Sequence, residues 1–282
     1  MHFWIVDVFA SSIFEGNAAA VCLLEKSFSD VVLQKIAREF NLHEIIFITP
    51  LQNQHFQIKI FNPLSNECAF GHSLLAAAHV LWHEIKPESI DPNIIYFDSS
   101  NGIFMMSNKN GKIMINTLVK KTELTAAPDR LINALGVPPI AVSKCGYIYV
   151  VEMFNTKHVL KLEPDIAKLC KILCDGIVVT AEGGKEASFD FISRFFVPSR
   201  LNEDPVTLWN HCFLGPYWAN KLRKTNLTAM QRSDRGGLLE IECSQDQVKI
   251  SGECVTAMSG SLRNISDWNS GDTKYLGDYR AI

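Results

Sequence analysis

The apolar positions of the first sixty residues fall into short runs, and these predict strands. Residues 3–9, 18–24, 45–49 and 56–61 are each apolar or alternating and are bounded by Gly, Asn, Pro or charged side chains, as buried or half-buried strands require. Between the second and third runs the period changes. Val32, Leu33, Ile36, Ala37 and Phe40 recur at helical spacing, with Ser27 and Asp30 offering a capping-box start and Asn41 a stop. A second helix is expected after Gly71-His72, where Leu74, Leu75, Ala78, Leu81 and Trp82 give a wide apolar face and the alanines favour helix. Residues 93–118 return to strands, punctuated by Asn101-Gly102 and Asn110-Gly111, dipeptides suited to two-residue hairpin turns.

Residues 120–139 are polar, then weakly helical over 128–135, then closed by Gly136 and two prolines, the marks of a link. They divide the chain into an N-terminal half, 1–120, and a C-terminal half, 121–282, with strand exchange at the C-terminus allowed. The second half should hold strands at 147–153, 176–181, 189–196, 238–243 and 248–250. Helices are expected near 166–173 and 207–222, the latter kinked or restarted at Pro216.

The halves echo each other. Phe61-Asn62-Pro63 runs through an acidic loop containing Glu67 into Gly71-His72-Ser73 and an apolar helix. Phe196-Val197-Pro198 runs through Glu203-Asp204-Pro205 into Leu208-Trp209-Asn210-His211 and another. The offset is roughly 135 residues, which implies one internal duplication outside the familiar short-period repeats. If the halves pack face to face, two helix N-termini meet at one cleft. Their free N–H groups and positive dipole ends would suit a substrate carboxylate.

Composition narrows the function. The chain has 282 residues, 47% hydrophobic and 20% charged, enough to bury a sizeable core. A formal net charge of -3 with no basic stripe argues against a nucleic-acid or anionic-membrane partner. No run approaches the ~20 apolar residues of a membrane span, and the N-terminus lacks a secretory pattern. Eight cysteines scattered through apolar sequence read as reduced thiols in a cytoplasmic protein. His79 and His83 lie four apart but no third ligand is evident, so no metal is expected. Cys170 and Cys174 are equally unsupported as ligands. Gly183-Gly184 and Gly236-Gly237 read as turns, and no Gly-x-Ser-x-Gly elbow is present.

Seven segments, in order and spread over nearly the whole chain, carry a resemblance. They are Val6-Asp7-Val8-Phe9, Phe14-Glu15-Gly16-Asn17-Ala18-Ala19-Ala20-Val21, the stretch from Ile36 through His43-Glu44, the stretch from Gly71-His72-Ser73 to Leu81, Arg194-Phe195-Phe196-Val197-Pro198, Glu203-Asp204-Pro205-Val206-Thr207 and Arg235-Gly236-Gly237. Together they resemble the PhzF-like phenazine-biosynthesis isomerases of the diaminopimelate-epimerase superfamily. The resemblance implies an α+β fold of two pseudo-symmetric β-rich halves, each wrapped around a central helix, with the active site in the cleft between them. It also implies a homodimer and cofactor-free proton transfer at a carbon of a small carboxylate-bearing metabolite.

On that resemblance Glu44 matches the catalytic glutamate, with His72 and Asp204 as its catalytic partners. Asn17, Gly71, Ser73 and Trp209 would contact substrate. A carboxylate in a closed, partly apolar pocket should have its pKa raised, and a helix start should disfavour the imidazolium of His72. Asp204 is preferred to its neighbour Glu203. Read without the resemblance, Glu44 is a turn glutamate, His72 a helix-start histidine and Asp204 a cap.

Two positions depart from the family. Leu208-Trp209-Asn210 stand where the family has Gly-Ser-Ala, and Phe70 stands where many relatives have Cys before Gly-His. The superfamily's paired catalytic cysteines therefore have no match, and Cys68 and Cys212 are assigned to packing. Bulk at Leu208 and Trp209 supports an alternative, a small-molecule binding or regulatory protein that keeps the fold without turnover.

Overall fold

The computed structural model describes residues 1–64 and 71–263. Glu67, Cys68 and Phe70, singled out above, lie outside the described residues. The first half contributes strands β1 (His2–Val8), β2 (Asn17–Leu23), β3 (Glu44–Pro50), β4 (His55–Phe61), β5 (Ile94–Ser99), β6 (Gly102–Lys109) and β7 (Lys112–Leu118). The second contributes β8 (Glu123–Leu124), β9 (Ala141–Cys145), β10 (Ile148–Glu152), β11 (Gly176–Glu182), β12 (Phe191–Val197), β13 (Asn202–Asp204), β14 (Asn226–Gln231), β15 (Gly237–Cys243), β16 (Gln247–Gly252) and β17 (Cys254–Ser261). Helices are α1 (Asp30–Phe40), α2 (Ser73–His79, continuing as a π-helical turn Val80–Ile85), α3 (Asp129–Leu135), α4 (Thr156–Leu160), α5 (Ile166–Leu169) and α6 (Leu208–Leu222).

Pairing runs consecutively from β1 to β7, with β17 on the free side of β1. From β16 it continues through β15, β14, β12, β11, β10 and β9 to β8, with β13 added to β12. An antiparallel pairing of β7 with β16 joins the two systems. The last described strand thus crosses back into the sheet that begins the chain. Helix α2 packs against β1, β2, β3, β6, β7 and β17, and α6 against β14, β15 and β16. Each half wraps strands around a central helix.

The strands read as apolar runs because both of their faces are covered. In β3, Ile46 and Ile48 join the main core with α2, while Ile45 and Phe47 pack outward with Leu33, Ile36 and Ala37 of α1. In β11, Val178 faces the main core, and Ile177, Val179 and Ala181 face Leu131 of α3, Val159 of α4 and Leu169 of α5. The main core contains side chains of both α2 and α6, so one apolar interior is shared by the halves.

Local departures from the sequence reading have physical causes. Helix α1 starts one turn past Ser27, with Ser29 as N-cap and no side-chain cap bond. The Asp30 carboxylate is taken instead by Lys59 Nζ at 2.6 Å. Asn41 ends the helix in the left-handed region, φ 52°, as its short polar side chain allows. Asn110-Gly111 forms the expected turn, with both residues at positive φ. The preceding hairpin turns on Ser100-Asn101, one residue early, and leaves Gly102 at φ 117° to open β6.

Helix α6 does not restart at Pro216 but runs through it. A proline has no N–H for the carbonyl four residues back. That carbonyl, of Cys212, accepts the backbone N–H of Lys120 at 3.0 Å. The segment linking the halves thereby supplies the missing donor and pins itself to the second central helix. Cys212 is fully buried, and burial pushes its thiol up to about 12, in keeping with a packing role. No helix among the described residues is long and apolar enough to cross a membrane.

Candidate active site

Glu44 opens β3 immediately after the bend that follows α1, paired in register with Ala19 of β2. Its carboxylate turns onto the start of α2. Glu44 Oε2 accepts the Ser73 backbone N–H at 2.9 Å, and Oε1 lies 3.5 Å from His72 Nδ1. The other ring nitrogen, His72 Nε2, lies 3.3 Å from the Ala18 carbonyl oxygen, which can only accept. With Nε2 donating there, a proton on Nδ1 makes His72 an imidazolium facing a carboxylate. The pair is sealed, with the His72 side chain 4% exposed and that of Glu44 17%.

Gly71 is required by this geometry. A Cβ there would stand 1.9 Å from Glu44 Oε1, so the carboxylate packs directly on the glycine backbone. The first free amide of α2 is already bonded to Glu44.

Electrostatics reverse both sequence expectations for this pair. Burial pushes the Glu44 carboxyl up, but the His72 charge and hydrogen bonds from His72 and Ser73 outweigh it and hold the carboxyl below its ordinary value. Burial pulls His72 down, but the charge and hydrogen bond of Glu44, with the charge of Asp204, carry it above its ordinary value. Sequence reasoning placed each residue in an apolar or dipolar field. Burial is the largest single effect on each, and the partner's charge and the hydrogen bonds together outweigh it.

Asp204 arrives from the second half, at the end of β13, and is buried. Its Oδ1 accepts from Thr207 Oγ1 at 2.7 Å and from Asn17 Nδ2 at 3.4 Å, and Asn17 also donates to the Val206 carbonyl at 2.8 Å. Asn17, on β2, therefore ties the first half to the loop before α6. Glu203 is held elsewhere, in a two-bond fork with Arg194 at 2.7 and 2.8 Å, while Arg194 Nη1 also caps the Leu162 carbonyl at 2.6 Å. The field of Asp204 is felt at His72, so Glu44, His72 and Asp204 share one neighbourhood.

Leu208 is buried in the core, and Trp209 is partly buried with the Lys120 ammonium 5.2 Å from its ring centre. His79 Nε2 is engaged by Thr256 Oγ1 at 3.1 Å, and among the described residues no group of three potential metal ligands forms. A cavity of about 490 Å³ is lined by Phe9, Glu15, Arg232 and Gly237 and does not include Glu44, His72 or Asp204 in its lining. It borders a tie between two of the sequence segments. Arg235 Nη2 lies 2.5 Å from Asp7 Oδ1, and its Nε and Nη2 donate to the carbonyls of Gly16 and Glu15 at 2.8 and 2.7 Å.

One residue at the site was not singled out from sequence. His43 lies in the bend before Glu44, with Nδ1 3.8 Å from Asp204 Oδ2. It was legible only as the neighbour of Glu44.

Comparison with known proteins identifies the family. The family model described as phenazine biosynthesis-like protein, PhzC-PhzF, matches residues 6–260. An uncharacterised isomerase of Halalkalibacterium halodurans is 36% identical over 92% of this chain and 97% of its own. The crystal structure of a putative phenazine biosynthesis PhzC/PhzF protein from Clostridium difficile superposes with a TM-score of 0.86 at 32% identity, covering 93% of this chain and 99% of that one. A hydroxyproline epimerase of Agrobacterium vitis shares the fold alone, with a TM-score of 0.58 at 10% identity over 92% and 91% of the chains. With the family model matched over residues 6–260, the chain belongs to the PhzC-PhzF family of phenazine biosynthesis-like proteins.

Proposed function

We propose that the chain is an isomerase that moves a proton within a small carboxylate-bearing metabolite, using carboxylate acid–base chemistry supplied by its own side chains. Relatives named as isomerases support the reaction class. The observation that carries the chemistry is the sealed Glu44–His72 ion pair, with Asp204 of the opposite half in the same field. A carboxylate held anionic at neutral pH can take a proton from carbon, and its protonated partner can return one. His72 sets the charge of Glu44, and Asp204, fixed by Thr207 and Asn17, orients substrate from the other side. Gly71, Ser73 and Trp209 are assigned to the substrate's surroundings.

The alternative, binding without turnover, depended on Leu208 and Trp209 filling the cleft. Both side chains have partners of their own, in the core and at Lys120, which favours turnover. Expected substrates share an acidic C–H next to a carboxylate or an unsaturated carbon. L-proline, trans-4-hydroxy-L-proline, but-3-enoate and L-vinylglycine in D2O, followed by proton NMR, form the test panel. Loss of a carbon-bound hydrogen signal in at least one is the expected result, and complete inertness across the panel overturns the reading. A cytoplasmic homodimer belongs to the same proposal, and gel filtration at the mass of one chain would remove its oligomeric part.

A further inference from the structure

The Glu44–His72 pair accounts for one carboxylate and one imidazole at the site, and a second of each stands beside it. We propose that His43 and Asp204 form a second imidazole–carboxylate pair, and that His43 is the acid–base residue for the substrate carbon, or the face of a carbon, that Glu44 does not serve. The inference rests on the isomerase reading and names a further catalytic residue for it.

Geometry carries the argument. The Oδ1 of Asp204 is taken by Thr207 and Asn17, and Oδ2 faces His43 Nδ1 across 3.8 Å. That Nδ1 is buried and has no hydrogen-bond partner, an arrangement that leaves a polar atom unsatisfied unless the carboxylate draws closer. Catalytic hydrogen bonds are often long before substrate binds and shorten in the complex. The side chain as a whole is 33% exposed, so with Nδ1 sealed its exposure falls on the rest of the ring. Consecutive strand residues point to opposite faces. His43 sits in the bend ahead of β3, outside that alternation, and the charges of Asp204, His72 and Glu44 all act on it.

The charges give the pair its direction. Burial pulls His43 below its ordinary value, Arg200 and His72 pull it further, and Asp204 and Glu44 oppose them without prevailing. At neutral pH the ring is uncharged and can act as a base. In one direction the substrate C–H bond breaks and its proton goes to the outer ring nitrogen of His43. The electron pair stays on the substrate, conjugated with its carboxylate, while Asp204 offsets the new imidazolium. The single proton shared by Glu44 and His72 then passes to the second carbon or face, forming the new C–H bond. Water carries the proton from His43 back to the Glu44–His72 pair. In the opposite direction water first carries a proton from the Glu44–His72 pair to the outer ring nitrogen of His43, Glu44 then takes the substrate proton, and His43 delivers its own to form the new C–H bond.

This scheme requires that the relocated hydrogen exchange with solvent. With the panel above in D2O, the wild-type chain should exchange hydrogen at both the donor and the acceptor position. His43→Asn and His43→Ser should keep exchange at the position served by Glu44 and lose it at the other by about 10²–10⁴-fold. Two variants guard against a local folding defect in either. A second readout separates catalysis from packing. Followed by NMR of its ring signals, His43 should titrate at lower pH in Asp204→Asn than in wild type, because the carboxylate that raises it is gone. Exchange at both positions by both His43 variants at the wild-type rate overturns the role of His43 and leaves the isomerase reading standing. An unmoved His43 titration in Asp204→Asn overturns the pair. A wild-type chain inert toward the whole panel overturns the isomerase reading, and this inference falls with it.

Discussion

Glu44→Gln is expected to slow substrate hydrogen exchange by about 10²–10⁴-fold while leaving the fold intact. Glutamine has nearly the same shape and keeps an oxygen for the Ser73 N–H, so the packing on Gly71 survives. Its amide cannot accept a proton at neutral pH, and the chemistry stops. The variant also removes the charge that raises His72, leaving burial opposed chiefly by Asp204, so the His72 ring should titrate at lower pH. Wild-type exchange in Glu44→Gln would show that another group is the base.

The same pair sets a pH window. Glu44 is depressed in the folded chain, so its contribution to stability is present above its ordinary value of 4.5 and is lost as pH falls through the depressed value. His72 is raised, so its contribution is complete below its ordinary value of 6.5 and is lost as pH rises through the raised value. The stability difference between wild type and Glu44→Gln should therefore be largest from 4.5 to 6.5 and shrink on either side. Urea titrations across that range measure it.

Periodicity made the apolar elements legible and said little about the fields between them. Two central helices were visible because α2 and α6 are rich in apolar residues that no solvent-facing helix would carry. Strands β14 and β17 were not. Asn226–Gln231 alternates only weakly, and Cys254–Ser261 is largely half-exposed, with little apolar pattern to read. The positions of Glu44 and His72 could be named from their motifs, but their charge states could not. Those depend on a 3.5 Å approach between side chains far apart in sequence. His43 was passed over because a motif read as a string gives no weight to which of two neighbouring polar residues meets Asp204. Gly236-Gly237 could be read as a turn, but the bond from the neighbouring Arg235 to Asp7, 228 residues away, could not.

That arginine supports the largest stability prediction. Asp7, on β1, is 2% exposed, with Oδ2 bonded to the Phe14 N–H at 2.8 Å and Oδ1 facing Arg235. Arg235 lies between β14 and β15 of the second half, and its remaining donors satisfy the carbonyls of Glu15 and Gly16. Gly16 in turn donates its N–H to the Gly236 carbonyl at 2.7 Å and holds a φ of 63°. Arg235→Ala leaves a buried carboxylate with one backbone donor and frees two carbonyls, and should lower the unfolding free energy by about 3–5 kcal/mol. Arg235→Lys keeps the charge but loses the fork, so its loss should be smaller. Replacing both partners with apolar residues, as in Asp7→Leu with Arg235→Met, should recover much of the loss, because no charge is then left unpaired. Urea midpoints for the single and double variants decide the matter. A loss under about 1 kcal/mol in Arg235→Ala would mean the pair behaves as a surface contact, and the interlock between the first strand and the second half would have to lie elsewhere.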